Sequence, residues 1–283
     1  MTNRPNTKIP RRKVAPVYTQ SNRSGAPVVS APFVGTEAYE SILATNDTPL
    51  FIFGDHASKH IPEEYDNLGL SGADLTRHIA WDIGTETVLR ELCGHFGCGG
   101  QLAGVSRLVI DLNRAPDALG LIPVVSDGTL VTGNENLTDA ARQDRIDRFY
   151  TPYHAALGTA LDALDDPLVL SVHSFTAKPD LGDYRLTDIG LLVKDDEDSA
   201  EQLREMFMRL GRAFTIGMNQ PYSAHDLNHT IDANVAPRGL RHLAIEVRQD
   251  HIDTPDKARD IASVLAGRLE PLVNRSRITI IKP

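Results

Sequence analysis

Two histidines, several carboxylates and an arginine stand at the ends of apolar runs in this chain, where side chains can do chemistry. Asp55 and His56 follow LFIFG, His173 sits in SVHSF, Asp111, Asn113 and Arg114 close RLVIDLNR, and Glu246 interrupts the apolar HLAIEV. If those runs are strands of an α/β sheet, polar groups at their C-terminal ends face the crevice where such sheets bind ligands. Histidines and carboxylates gathered from separate strands at one edge are what a metal-dependent hydrolase needs. A catalytic zinc takes about three N or O ligands and keeps one position open for water, whose pKa falls to about 7. His56 and His173 are the two best ligands. Asp82 in IAWDIG is the preferred third, because it stands at the start of a predicted helix with an oxygen free to face the cleft; His60, Glu63 and Glu64 compete for that place. Glu246 then serves as general base for the water and as acid for the leaving amine. Arg114 offers a planar fork for a substrate carboxylate, and Asn113 adds an amide donor.

Each assignment has a structural alternative. A histidine at a strand end can be a hydrogen-bonded framework residue. Glu246 can be a buried ion-pair partner of Arg114 or Arg248, since acids within apolar strands need such a partner. Arg114 can pair with Asp111 and shape its loop; His78 and His229 can be catalytic helpers, though His78 reads better as a satisfied polar core residue. Other chemistries fit less well. The G-x-S-x-G elbow of serine hydrolases does not occur, leaving Ser174 as a weak nucleophile. CGHFGCGG lacks the spacing of a dinucleotide-binding G-x-G-x-x-G.

The elements that must position these groups alternate. Strands are expected over Pro49 to Gly54, Arg107 to Leu112, Pro167 to Val172, Ile189 to Val193 and His242 to Val247. Helices are expected from about Asp82 to Cys93, Thr138 to Leu164, Ala200 to Ile216 and Pro255 to Leu272. Pro152 should start, break or kink the second of these. That alternation implies an α/β sheet covered by helices. Residues 217–240 are polar and turn-rich, and a loop of that length is usually functional or disordered. Residues 1–35, rich in Pro, Ser, Thr, Asn and basic residues, read as a flexible tail, and residues 36–283 as a single catalytic domain.

Composition bounds the function. The 283 residues carry a net charge of -9 and show no basic stripe, which argues against a nucleic-acid partner. No apolar run approaches the roughly 18 to 20 residues a membrane span needs, and no apolar segment follows the basic N-terminus, so a cytoplasmic location is expected. Cys93 and Cys98 flank His95 in ELCGHFGC; the plain reading is a helix end with Gly94 and Gly97 in the turn, the alternative a small metal site.

The stretches DHASKHIPEEYDNLGL, RHIAWDIGT, RLVIDLNRAPD, SVHSFT, NQPYS and LAIEVRQDHI, in this order from about Pro49 to Ile252, resemble the N-formylglutamate amidohydrolase family. The resemblance implies a mixed, mostly parallel α/β sheet flanked by helices, of the zinc-peptidase type. It implies one zinc ion held by His56 and His173, a clamp on the substrate carboxylate from Asn113 and Arg114, and Glu246 as general base. The implied partner is a small N-acyl amino acid, N-formyl-L-glutamate first among them, and the family name suggests histidine degradation. Two departures stand out. Carboxypeptidase-like enzymes carry His-x-x-Glu after the first strand, where this chain has Lys59, and the glutamate-specific members tend to read HAGT where this chain reads HASK.

Overall fold

Apolar side chains point alternately to the two faces of a strand, and both faces of the central strands here are apolar. Such strands must be covered on both sides. In the computed structural model, which describes residues 33–211 and 214–275 and the short paired segments Gln20–Ser21 and Pro27–Val28, they form one sheet. Its strands are β1 (Phe33–Gly35), β2 (Tyr39–Ile42), β3 (Leu50–Gly54), β4 (Gly99–Ala103), β5 (Leu168–Phe175), β6 (Ile189–Leu192), β7 (Ile216–Met218) and β8 (His242–Arg248). They lie in the order β7-β6-β8-β5-β3-β4-β2-β1. The pairings β6/β7, β8/β5, β5/β3 and β3/β4 are parallel; β6/β8, β4/β2 and β2/β1 are antiparallel. This is the α/β sheet that the alternation implied, mixed and mostly parallel as the resemblance implied.

Alternation divides the core in two. Leu50, Ile52, Leu168, Leu170, Val172, Leu243 and Ile245 face α1 (Thr85–Phe96), α4 (Glu197–Arg209) and α6 (Pro255–Arg275). The opposite face, with Phe51, Phe53, Val169 and Ala244, packs against Tyr153, Leu157 and Leu161 of α3 (Thr151–Asp162) and Ile231 of α5 (His229–Asn234). The helix expected from Thr138 to Leu164 is α2 (Asp139–Arg145) running through a wider turn, Ile146–Tyr150, into α3. Pro152 falls in the first turn of α3, where its missing N–H costs little.

Three expectations are corrected. Residues 107–112 are not a strand. The run is buried, but its backbone turns at Ser106, and the carbonyls of Leu108 and Val109 accept hydrogen bonds from the side chains of Asn134 and Arg145. Buried carbonyls need a partner, and side chains supply here what a ladder would otherwise provide. The helix expected to run to Ile216 stops at Arg209, and Ile216–Met218 is instead β7. The region 217–240 is not all loop, since it includes the end of β7 and all of α5. The tail expected over residues 1–35 lies mostly outside the described residues, and its last three residues are β1. No helix among the described residues is long and apolar enough to cross a membrane.

Candidate active site

The face that meets α3 and α5 also carries the reactive groups, because the same alternation continues to the strand ends. Ser171 of β5 pairs with Ala244 of β8, which pairs with Leu192 of β6. Two residues further on, His173 pairs with Glu246, and Glu246 with Gly190. His173 and Glu246 are therefore side by side on one face, at the edge where β5 and β8 leave the sheet. Phe53 of β3 pairs with Ser171, so Asp55, two residues beyond Phe53, extends the row of His173 and Glu246.

The turn after β3 brings in His56, and a backbone hydrogen bond from Asp82 N to the His56 carbonyl (2.8 Å) ties the start of the α1 region to it. Gly84, with a φ of +82°, lets the segment just after Asp82 pack against Ile252, where a Cβ would fall 2.1 Å from the Ile252 carbonyl oxygen. His56, Asp82 and His173 converge, with one donor atom of each within 4.8 Å of the others. His173 Nδ1 lies 2.8 Å and His56 Nδ1 3.5 Å from Asp82 Oδ2. All three residues are buried.

The surroundings test whether this group suits a cation. His56 Nε2 meets Asp111 Oδ1 at 2.7 Å. A carboxylate only accepts, so a proton sits on Nε2, and Nδ1 is the nitrogen that faces Asp82. Nδ1 is buried and has no hydrogen-bond partner. Burial and Arg107 work against charge on His56, yet Asp111 and Asp82 outweigh them and push its pKa up to about 9. His173 is also raised: burial opposes its charge, and Asp82 overrides it. Burial disfavours the charged forms of Asp82 and Asp111, but His56 foremost, with His173 at Asp82 and Arg107 at Asp111, holds both carboxyls far below the usual range. A buried site whose acids stay ionised and whose histidines attract protons is one that favours positive charge. Its donor set of two imidazoles and a carboxylate fits a divalent transition metal.

A cavity of about 160 Å³ opens onto this group. Glu246 lines it, with Oε2 buried and without a partner. Its carboxyl is raised from 4.5 to about 7, first by burial and then by Asp82, against the pull of His173. Arg248 does not pair with it, being engaged by Asp250 and Asp188 at 2.7 and 2.9 Å. Arg114 lines the same cavity, partly exposed, its Nε 3.8 Å from Asp111 Oδ2. Asn113 accepts the Thr230 backbone N–H at the start of α5 through its Oδ1, so its side-chain NH2 is what it can offer the cavity.

The six residues singled out from the sequence are thus brought together. The competitors for the third ligand are not: His60 and Glu63 are exposed, and Glu64 is exposed and paired with Arg148 at 2.6 Å. Lys59 lies over the Trp81 ring, 5.1 Å from its centre. His78 is no core residue; it lines the cavity and pairs with Asp127 at 3.1 Å. His229 hydrogen-bonds the Tyr150 hydroxyl. Cys93 and Cys98 are buried and unlinked, with Gly97 as the left-handed end of α1, whereas His95 is exposed against Glu270. Gly94 is inside the helix rather than in the turn.

Sequence reasoning missed Arg107 and Tyr222. Arg107 bridges Asp82 at 3.3 Å and Asp111 at 3.0 Å, and its four-residue spacing from Asp111 was the available signal. Tyr222 belongs to the NQPYS stretch, lines the cavity, and accepts a hydrogen bond from Arg185 on its hydroxyl (2.8 Å). The loop carrying it crosses β6 at Gly190, where a Cβ would sit 2.1 Å from the Gln220 carbonyl oxygen.

Reactive groups at one edge of a mixed α/β sheet, around a pocket suited to a cation, are an arrangement that can carry out hydrolysis. A profile of the N-formylglutamate amidohydrolase family matches residues 48–252. The chain belongs to that family and is an amide-cleaving hydrolase acting on a small molecule. Among solved structures, it is similar to a gene product of Agrobacterium tumefaciens, 30% identical over 86% of this chain and 97% of the other, with a TM-score of 0.81. It is also similar in fold to an N-formylglutamate amidohydrolase from Ralstonia eutropha JMP134, 20% identical over 85% of this chain and 100% of that one, with a TM-score of 0.60. No curated protein matches the sequence.

Proposed function

We propose that the protein is a metal-dependent amidohydrolase that cleaves N-formyl-L-glutamate, or a closely related N-acyl amino acid, to the free acid and the amino acid. The observation that carries this reading is the convergence of His56, Asp82 and His173 beside a buried, unpartnered Glu246. His56, Asp82 and His173 would hold the ion, zinc by the chemistry of the donor set. Such an ion polarises a carbonyl and makes water acidic enough to deprotonate near neutral pH.

The chain's own residues carry the rest. Glu246 takes a proton from the attacking water and returns it to the amide nitrogen as the C–N bond breaks, so the amine leaves neutral. A carboxyl raised to about 7 is matched to that exchange at neutral pH. Arg114 holds the carboxylate of the amino acid and Asn113 donates beside it, which fixes the amide between Glu246 and the ligand group. Arg107 bridges Asp82 and Asp111, holding both in place, and helps keep Asp111 ionised. Formate release from N-formyl-L-glutamate, followed across a panel of acyl amino acids of graded size, tests the substrate. Turnover of none of them would sink it.

A further inference from the structure

The two histidines of the site are held by different outer partners. His56 has the Asp111 carboxylate on its far nitrogen, and Arg107 clamps that carboxylate in turn. On the far nitrogen of His173, Nε2, the Ser171 hydroxyl lies at 2.8 Å and Asp55 Oδ2 at 3.8 Å. Asp55 is fully buried. Its Oδ1 accepts the Tyr153 hydroxyl at 2.7 Å, while its Oδ2 has no hydrogen-bond partner. Leaving a buried carboxylate oxygen unpaired costs stability, and such an oxygen calls for an explanation in function.

We propose that Asp55, held by Tyr153, is the positioning carboxylate of His173; the inference rests on the metal reading of the site. If His173 gives Nδ1 to the ion beside Asp82, its Nε2 must carry the ring proton, and that proton faces Ser171 and Asp55. The negative charge fixes this tautomer and makes the ring a better donor, as Asp111 does for His56. The framework holds Asp55 on both sides. The row of paired residues sets it opposite His173, and Tyr153, buried in α3, is tied to β4 because its carbonyl accepts the Gln101 side-chain amide at 2.9 Å. Asp55 lines the same cavity, and in this arrangement it acts on the ion through His173 and not as a ligand.

The test is zinc affinity, measured by competition with a chelating dye on the full chain, with melting of the metal-free protein as a check on folding. Asp55→Asn keeps the shape and an acceptor for Tyr153 but removes the charge; it should weaken zinc binding by about 10- to 100-fold. Tyr153→Phe keeps the charge and frees the carboxylate; its zinc affinity should fall by less, in the same direction. A merely structural role would lower the melting temperature and leave the zinc Kd of the folded protein untouched. If Asp55→Asn fails to fold, Tyr153→Phe decides alone. Wild-type Kd in the folded variants would overturn the proposal while leaving the metal reading intact. Wild-type protein that takes up no zinc would overturn both.

Discussion

Replacing Glu246 by Gln should separate catalysis from stability in opposite directions. The substitution keeps the volume and removes the group proposed to take and return the proton. General acid–base catalysis is worth about 10²- to 10⁴-fold, so kcat should fall by that factor, roughly 3 to 5 kcal/mol in barrier, with KM little changed. In the metal-free protein the same carboxyl is a burden. Its pKa is raised from 4.5 to about 7, so the folded state disfavours its charge. The stability linked to its protonation is fully present below about pH 4.5, declines as pH rises through about 7 and is gone above that. At pH 8 a raise of this size opposes folding by an amount on the order of 3 kcal/mol, which the neutral Gln does not incur. Metal-free Glu246→Gln should therefore melt above wild type at pH 8 and together with it near pH 4.5. Steady-state formate release and urea melts at the two pH values read both arms. A kcat within a few-fold of wild type would refute the base assignment, and a variant less stable than wild type at pH 8 would refute the burial argument.

Two further outcomes follow from the cavity wall. Arg114→Ala should raise KM by about 10- to 100-fold with kcat nearly kept, since a charge-assisted hydrogen bond contributes roughly 1.5 to 3 kcal/mol to binding; an unchanged KM in steady-state assays would show that the substrate carboxylate sits elsewhere. Gly190→Ala places a Cβ 2.1 Å from the Gln220 carbonyl oxygen and 3.2 Å from Glu246 Cβ. It should cost about 1 to 3 kcal/mol in a urea melt and lower kcat/KM by moving Tyr222 and Glu246, and full activity in that variant would contradict the loop crossing.

Much of the site was legible because strand alternation carries chemistry with it. Polar residues ending apolar runs, as in LFIFGDH and SVHSF, had to emerge together if the runs were parallel neighbours, and His173 and Glu246 are paired in register. The choice of Asp82 was legible from its place before a helix. What could not be read was structure made by distant contacts. RLVIDL has the composition of a strand, and distant side chains such as those of Asn134 and Arg145 let it be buried as turns. The central strand β4, GGQLA, was missed because two glycines mask its pattern, although Gly100 is there because a Cβ would meet the Ile52 carbonyl oxygen at 2.8 Å. Asp55 and Tyr153 are 98 residues apart, and no local spacing announces their bond. Lys59 stands where a ligand was looked for, yet it lies over Trp81, while Asp82 from a later segment converges with His56 and His173.

The most direct test of the account is formate release from N-formyl-L-glutamate by purified protein, before and after a chelator, with zinc restored and metal content determined on the same sample. The account predicts release that stops on chelation, returns with zinc, and tracks stoichiometric metal. Release that persists undiminished in protein shown to be metal-free would contradict it.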